Sequence, residues 1–505
     1  MGPSQSKEWS DLLDKFGYTD QGMKEQIVTY TKESVAMDHG LRDLLKGIEL
    51  LYVGSRIEGT ALHGFSDIDT LQVLSEIQCV EIDPHQTPKH TLVCWFIQGD
   101  TPGHGFVRVD YNKHMFENAM FVRWKNEIYL SSRKIMEDKI KGITKAFEND
   151  KRHIVGMPRG PSTPILIRYN RVETWLGLGD LDMTMDMTLA IPFHCPTTLA
   201  IWRERPRQFD WPTNETIQKV VALPGFLVPV AHSGTERTDL QWRICFNLAE
   251  TILVHSLNNT HKKLYLTLKL IRQCIFKDMC NYVTSFMLKN VVFWLAETTP
   301  IAEFVPEKLE ERVHDALVML RDSLIDGRLK FFMIPERCLF DGKIPTEQRK
   351  ILVVLIDLVL DDQTDLLNGV NLKNIMTKLM KCYVLERQRF CQSALFTPDQ
   401  LSIYIRDTFD SKMSGQSAMW DYLSNIIKVG IPCVYKYGFR LIWNCLSIEH
   451  EKIVEGCVTI DDYKRYACEH CQNSLSVHPN ESGKRKREEK PGNVSGEGSK
   501  RIRVA

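Results

Sequence analysis

This chain has no excess of charge of either sign, no apolar run long enough to cross a bilayer and no spaced cysteine framework. Lys+Arg and Asp+Glu both number 64 among its 505 residues, so a nucleic-acid partner cannot be read from overall charge and needs a local basic face. The longest apolar run, residues 351–360, is broken by Asp357 and falls short of the roughly 20 residues that span a membrane; no membrane partner is expected. The 14 cysteines stand singly in apolar segments, as at Cys94, Cys274 and Cys433. With a polar N-terminus and no cleavable leader, that usage fits reduced thiols in a cytoplasmic or nuclear protein. No internal repeat is found.

What is present suits a globular chain of two or three domains, since 43% hydrophobic and 25% charged residues can bury sizeable cores. Residues from about 8 to 50 carry apolar positions at three- and four-residue steps through Val35, Met37, Leu41, Leu44 and Leu45, which predicts helix. Strands are expected at 50–53, 67–74, 91–97, 105–111, 165–169 and 183–191, with an amphipathic helix over 129–147. That mixture predicts an α/β or α+β unit over residues 1–225. From Gln241 the periodicity turns helical, over 242–257, 262–276, 281–296 and 309–324, giving a helical domain at 226–345. A third block, 346–478, is mostly helical, with Gly415 and Gly430 as breaks. The tail, 479–505, holds eight Lys/Arg against four Glu and is expected to be disordered. A solvated tail, nuclear import and nonspecific nucleic-acid contact all fit it.

In a strand, side chains two apart share a face. Ser66-Asp67-Ile68-Asp69 therefore sets Asp67 beside Asp69, and two such close charges are reasonably held by a cation. Residues 183–191 repeat the logic. Asp186 shares a face with Thr184 and Thr188, while Met183, Met185, Met187 and Leu189 fill the other. Three carboxylates from two strands could hold two Mg²⁺ or Mn²⁺ ions of the kind used in nucleotidyl transfer. Gly54-Ser55 supplies a turn where the backbone can approach a phosphate and the Ser55 hydroxyl can bind it. Each element alone is weak. Gly-Ser, an Asp-x-Asp strand twelve residues on and a later acidic strand together form the signature of nucleotidyltransferases related to polymerase β.

Further motifs narrow the reading: Glu58-Gly59-Thr60, Met185-Asp186-Met187-Thr188, Gln241-Trp242-Arg243-Ile244-Cys245, Ser285-Phe286-Met287-Leu288-Lys289 and Phe332-Met333-Ile334-Pro335-Glu336. On these, from about residue 30 to about residue 345, the chain resembles the cGAS-like receptors, relatives of cyclic GMP-AMP synthase in the male-abnormal (Mab) domain family. The resemblance implies a bilobed enzyme: a polymerase-β-like nucleotidyltransferase core with a mixed sheet, and a helical lobe completing the nucleotide cleft. Carried over, it implies that Asp67, Asp69 and Asp186 bind the metals and act in catalysis, Asp186 also standing near the acceptor ribose hydroxyl. Gly54 and Ser55 would hold the donor triphosphate, Arg243 would contact the acceptor nucleotide, and Lys269, Ser285, Phe286 and Lys289 would lie near the donor ATP. Without the family, Arg243 and Lys269 read as an ordinary solvated or salt-bridged helix face.

Three positions depart from the family pattern: Asp67 where Glu is common, Phe286 where a tyrosine stacks on a purine, and Cys245 where a serine is common. The DNA-sensing relatives carry a zinc-binding insertion after the Trp-Arg helix. Residues 249–265 offer His255 and His261 but no cysteine, so no structural zinc ribbon is expected and double-stranded RNA is favoured over DNA as activator. Arg133, Lys134, Lys139, Lys141 and Lys145 could meet duplex phosphates, a solvated helix face being the other reading. Cys457, Cys468, Cys471 and His478 read as spare thiols before they read as zinc ligands. The expected function is synthesis of a cyclic dinucleotide from ATP and/or GTP in innate immune signalling, with a ligand-induced dimer compatible with it. The rival is a catalytically silent Mab-domain scaffold, which has no need of the three aspartates.

Overall fold

Two glycines divide the N-terminal stretch. Helix α1 (Pro3–Lys15) ends before Gly17, whose φ of +87° suits a helix C-terminus, and α2 (Asp20–Leu41) follows. Gly47, at φ +76°, leads into strand β1 (Ile48–Val53). The single helix expected over 8–50 is thus two helices and a strand, and Leu44 and Leu45 fall outside the described residues. The computed structural model describes residues 3–41, 47–81, 92–109, 120–147, 153–158, 160–167, 183–277, 280–361 and 379.

Strands β2 (Ile68–Leu74), β3 (Ile77–Val80), β4 (Leu92–Gln98), β5 (His104–Val109), β6 (Phe121–Trp124) and β7 (Glu127–Leu130) follow. Helix α3 (Ser132–Phe147) precedes β8 (His153–Val155), β9 (Ser162–Ile167) and β10 (Met183–His194). Helices α4 (Pro196–Glu204) and α5 (Asn214–Val221) lead to β11 (Gly225–Val228) and β12 (Gln241–Cys245). The strands form one mixed sheet of twelve, in the order β1-β2-β10-β11-β12-β5-β4-β3 with β3 returning to β10. Strand β10 is the hinge of this arrangement. Its first half pairs parallel with β2 and antiparallel with β9; its last residues pair with β11 and β3.

Helices α6 (Asn247–Ser256), α7 (Asn259–Ile271), α8 (Ser285–Thr298), α9 (Leu309–Asp326) and α10 (Thr346–Leu360) follow, with a π-helical turn at Arg272–Phe276 after α7. Their apolar faces and the sheet share one large core containing Trp202, Phe193, Trp242, Phe293 and Phe332.

Three further helix readings change, the first being that residues 281–284 precede α8, which starts at Ser285. Residues 129–130 end β7 and the helix starts at Ser132, while Trp242–Cys245 are strand. Trp242 and Ile244 alternate with half-exposed Arg243 and Cys245, a period of two hidden inside a longer helical pattern. Trp242 is fully buried and its Nε1 donates to the Leu130 carbonyl at 3.0 Å, fixing β12 against the end of β7. Of the 346–478 block, α10, Asp361 and Leu379 are described. Cys457, Cys468, Cys471, His478, the breaks at Gly415 and Gly430, and the tail lie outside the described residues.

Candidate active site

Parallel pairing of β2 with β10 sets Asp69 in register with Asp186, so two carboxylates stand side by side on neighbouring strands. The Thr70 hydroxyl donates to the Asp186 carbonyl at 3.2 Å, tying the strands at this point. Asp67 is exposed and just precedes β2 instead of lying within it as the sequence suggests, whereas Asp69 and Asp186 are half-buried. Burial first, then Asp186, Asp67 and Glu58, push the Asp69 carboxyl from its ordinary 3.8 up to about 7. The three sequence-predicted aspartates therefore act on one another.

Gly54 closes the other side. Its φ is +74°, and a Cβ there would lie 2.4 Å from Asp69 Oδ2, so the carboxylate rests directly on the glycine backbone. The turn continues through Glu58 N donating to Gly54 O at 3.0 Å and Thr60 N to Ser55 O at 2.9 Å. Ser55 is half-buried at its start. Arg56, buried in the turn, donates from Nε to Asp67 O at 3.2 Å and from Nη2 to Ser66 O at 2.7 Å, and bonds the Tyr30 hydroxyl through Nη1. It clamps the Gly-Ser turn to the backbone that presents the aspartates. Arg56 is not among the site residues expected from sequence, although its place immediately after Gly-Ser was the available signal.

Among the described residues no three His, Cys, Asp or Glu side chains stand close enough together to enclose a metal ion. The donor chemistry nevertheless fits Mg²⁺ or Mn²⁺: all-oxygen ligands from Asp67, Asp69 and Asp186 suit hard cations. A carboxyl raised to about 7 by burial first and by its acidic neighbours second is one whose charged form a bound cation would favour.

Lys289 and Lys269 reach this site from α8 and α7. Lys289 is buried, its Nζ 2.7 Å from Glu58 Oε1 and 2.6 Å from Glu250 Oε2. Burial alone would lower its pKa, but Glu250 and Glu58 outweigh that and hold the ammonium above its ordinary range. Lys269 Nζ donates to Thr60 O at 2.8 Å and lies 4.2 Å over the Tyr265 ring; burial chiefly lowers it to about 7. Both couple electrostatically to Asp69. Both are nonetheless engaged by protein groups, so each braces the turn from behind. Tyr265 donates to Ser285 O at 3.0 Å, and the half-buried Phe286 ring leans on Phe331 at 5.7 Å.

Arg243 stands in a different neighbourhood, with His104, Arg337 and Lys343. His255 meets the Ile57 carbonyl at 2.9 Å, while His261 bonds Asn258 Oδ1 at 2.7 Å and stacks on Phe304. On α3, Arg133, Lys134, Lys141 and Lys145 are exposed. Lys139 differs: its Nζ donates to Met187 O at 2.6 Å on the strand that carries Asp186, and it couples to Asp186.

Residues 260–357 match the family model described as the Mab-21 protein HhH/H2TH-like domain. This segment is similar to the C-terminal domain of Mab-21 proteins. It contains Lys269, Ser285, Phe286 and Lys289, and Asp67, Asp69, Asp186 and Arg243 precede it. The family resemblance carried by Ser285 to Lys289 and Phe332 to Glu336 is thereby borne out. A mixed sheet followed by a Mab-21-like segment is consistent with a nucleotidyltransferase-like fold. Among the described residues no helix is long and apolar enough to cross a membrane.

Proposed function

We propose that the chain is a metal-dependent nucleotidyltransferase that joins ATP and/or GTP into a cyclic dinucleotide in cytoplasmic innate immune signalling, with double-stranded RNA as activator. One observation carries the catalytic part: Asp69, in register with Asp186 and seated on Gly54, is held at about 7 by burial and surrounding carboxylates. A scaffold gains nothing from such crowding, which costs stability.

In this reading the nucleotide cleft lies between the sheet and the Mab-21 domain. Asp67, Asp69 and Asp186 would hold Mg²⁺ or Mn²⁺, which when bound neutralises charge on attacking and leaving oxygens. Gly54 lets backbone approach the donor triphosphate, and the Ser55 hydroxyl binds its oxygens. Asp186 orients the acceptor ribose hydroxyl that attacks the donor α-phosphate as pyrophosphate leaves. The half-buried Phe286 ring offers a stacking face for a base. Lys269 and Lys289 set the height of the turn through Thr60 and Glu58. The exposed cations of α3 would meet duplex phosphates, a kind of contact that reads duplex shape and not sequence.

The test is incubation of purified protein with radiolabelled ATP and GTP, Mg²⁺ or Mn²⁺, and double-stranded RNA, double-stranded DNA or neither. A phosphatase-resistant product that disappears in an Asp67→Ala/Asp69→Ala variant is expected with RNA. Absence of product under every condition would leave the Mab-domain scaffold standing; product with DNA alone would overturn only the choice of activator.

A further inference from the structure

Arg243, Arg337 and Lys343 gather three cations from β12 and from the segment between α9 and α10. Among the described residues none of them has a carboxylate ion-pair partner. The acid that couples to Arg337 is Glu250, which is already bonded to Lys289. Arg337 is buried; its Nη1 donates to Ile244 O at 3.2 Å and its guanidinium lies 4.9 Å over the Phe331 ring. Arg243 is half-buried, and its Nε is closed off from solvent with no hydrogen-bond partner. Lys343 is exposed, so the cluster opens to solvent on its side.

Two imidazoles line the same place. His104 is opposite Arg243 in the β5–β12 register and 5.7 Å from the His232 ring in an edge-on contact. Both ring nitrogens of His232 are buried and unpartnered. The chain is built tightly here: a Cβ on Gly342, next to Lys343, would fall 2.3 Å from Ser233 Oγ, next to His232. Burial first, then Arg337 and Arg243, lower His104 to about 3, which keeps it neutral.

Buried polar atoms are nearly always paired, and crowded like charges are not retained without compensation. Three orphaned nitrogens beside three cations that have no carboxylate ion pair among the described residues describe a site shaped for an anion. Planar guanidinium groups bind two oxygens at once, which selects phosphate over a halide. We propose that Arg243, Arg337 and Lys343, backed by His104 and His232, form a pocket for a phosphate group, distinct from the aspartate site. Phe331 connects it to Phe286 at 5.7 Å, so the phosphate of a nucleotide in the cleft and a free polyphosphate are two sources of the same chemistry.

Anion binding here does not depend on nucleotidyl transfer, and its test runs without divalent cations, so either idea can fail alone. Inorganic tripolyphosphate is titrated calorimetrically into the full chain with divalent ions chelated. Arg243→Gln and the rim variant Lys343→Gln should each weaken binding at least tenfold, whereas Lys219→Gln, an exposed lysine of α5 paired with Glu215 outside both sites, should not weaken it. Near-ultraviolet circular dichroism confirms that each variant is folded; Lys343, being exposed, is the substitution that leaves packing untouched. ATP and GTP in parallel separate the sources: tenfold tighter binding than tripolyphosphate assigns a nucleotide tail, and equal binding assigns free polyphosphate. Unchanged affinity in both Arg243→Gln and Lys343→Gln, or no binding by the parent chain, overturns the proposal.

Discussion

Replacing Asp69 by asparagine removes a carboxyl whose proton is held more tightly in the folded chain than in the unfolded one. A folded value of about 7 against an ordinary 3.8 means that native protein binds the extra proton between those limits. Stability contributed by that proton is full below about pH 4 and is lost as pH rises through 7. Asp69→Asn should therefore stabilise the metal-free protein at pH 8 by about 2 kcal/mol. Each tenfold change in proton affinity is worth ~1.4 kcal/mol, a figure discounted here because solvent reaches the half-buried residue. The gain should vanish at pH 4, as urea unfolding at both pH values would show. Gly54→Ala should abolish nucleotidyl transfer and cost about 1–3 kcal/mol, because both the positive φ and the 2.4 Å approach to Asp69 forbid a side chain. A fully active Gly54→Ala protein would contradict the seating of the carboxylate on the turn.

At the scale of elements, the parts legible in sequence were those with a short, repeating rule. Asp69 and Asp186 could be set on their strands because strand periodicity is two, the register Asp69↔Asp186 supplied what spacing could not, and Asp67 falls just before the strand that this rule gave it. Strand β12 reads as helix because its Trp242-Arg243-Ile244 alternation runs directly into helix α6, and a five-residue strand is short beside a ten-residue helix. The ties between Lys289 and Glu58 or Glu250 were invisible because they join distant segments, 231 residues apart for Lys289 and Glu58. No local pattern encodes such a pair. Helix α3 shows the same limit: its lysines look alike in sequence, yet Lys139 is spent on Met187 O while Arg133, Lys134, Lys141 and Lys145 face solvent. Lys139→Met should consequently lower turnover without changing duplex binding, a split readable by comparing product formation with RNA affinity.

For the whole molecule, a net charge of zero means that the proposed duplex binding rests on a local face. Reversing Arg133, Lys134, Lys141 and Lys145 to glutamate should weaken double-stranded RNA binding at least tenfold and flatten its salt dependence, with unfolding little affected. An unchanged salt slope would remove α3 from the interface.

The pairing of β2 with β10 also governs when the candidate site can assemble. Thr70 and Asp186 meet although they lie 116 residues apart, and parallel strands cannot be joined by a local turn. Closing so long a loop is entropically unfavourable, so contacts of this kind form late in folding. A nascent chain emerging from the ribosome would hold the Gly-Ser turn and the Asp-x-Asp strand long before their partner strand is synthesised. Catalytic competence should therefore arrive as a late event in biogenesis, and pulsed hydrogen exchange during refolding should find the β2 and β10 amides among the last to gain protection.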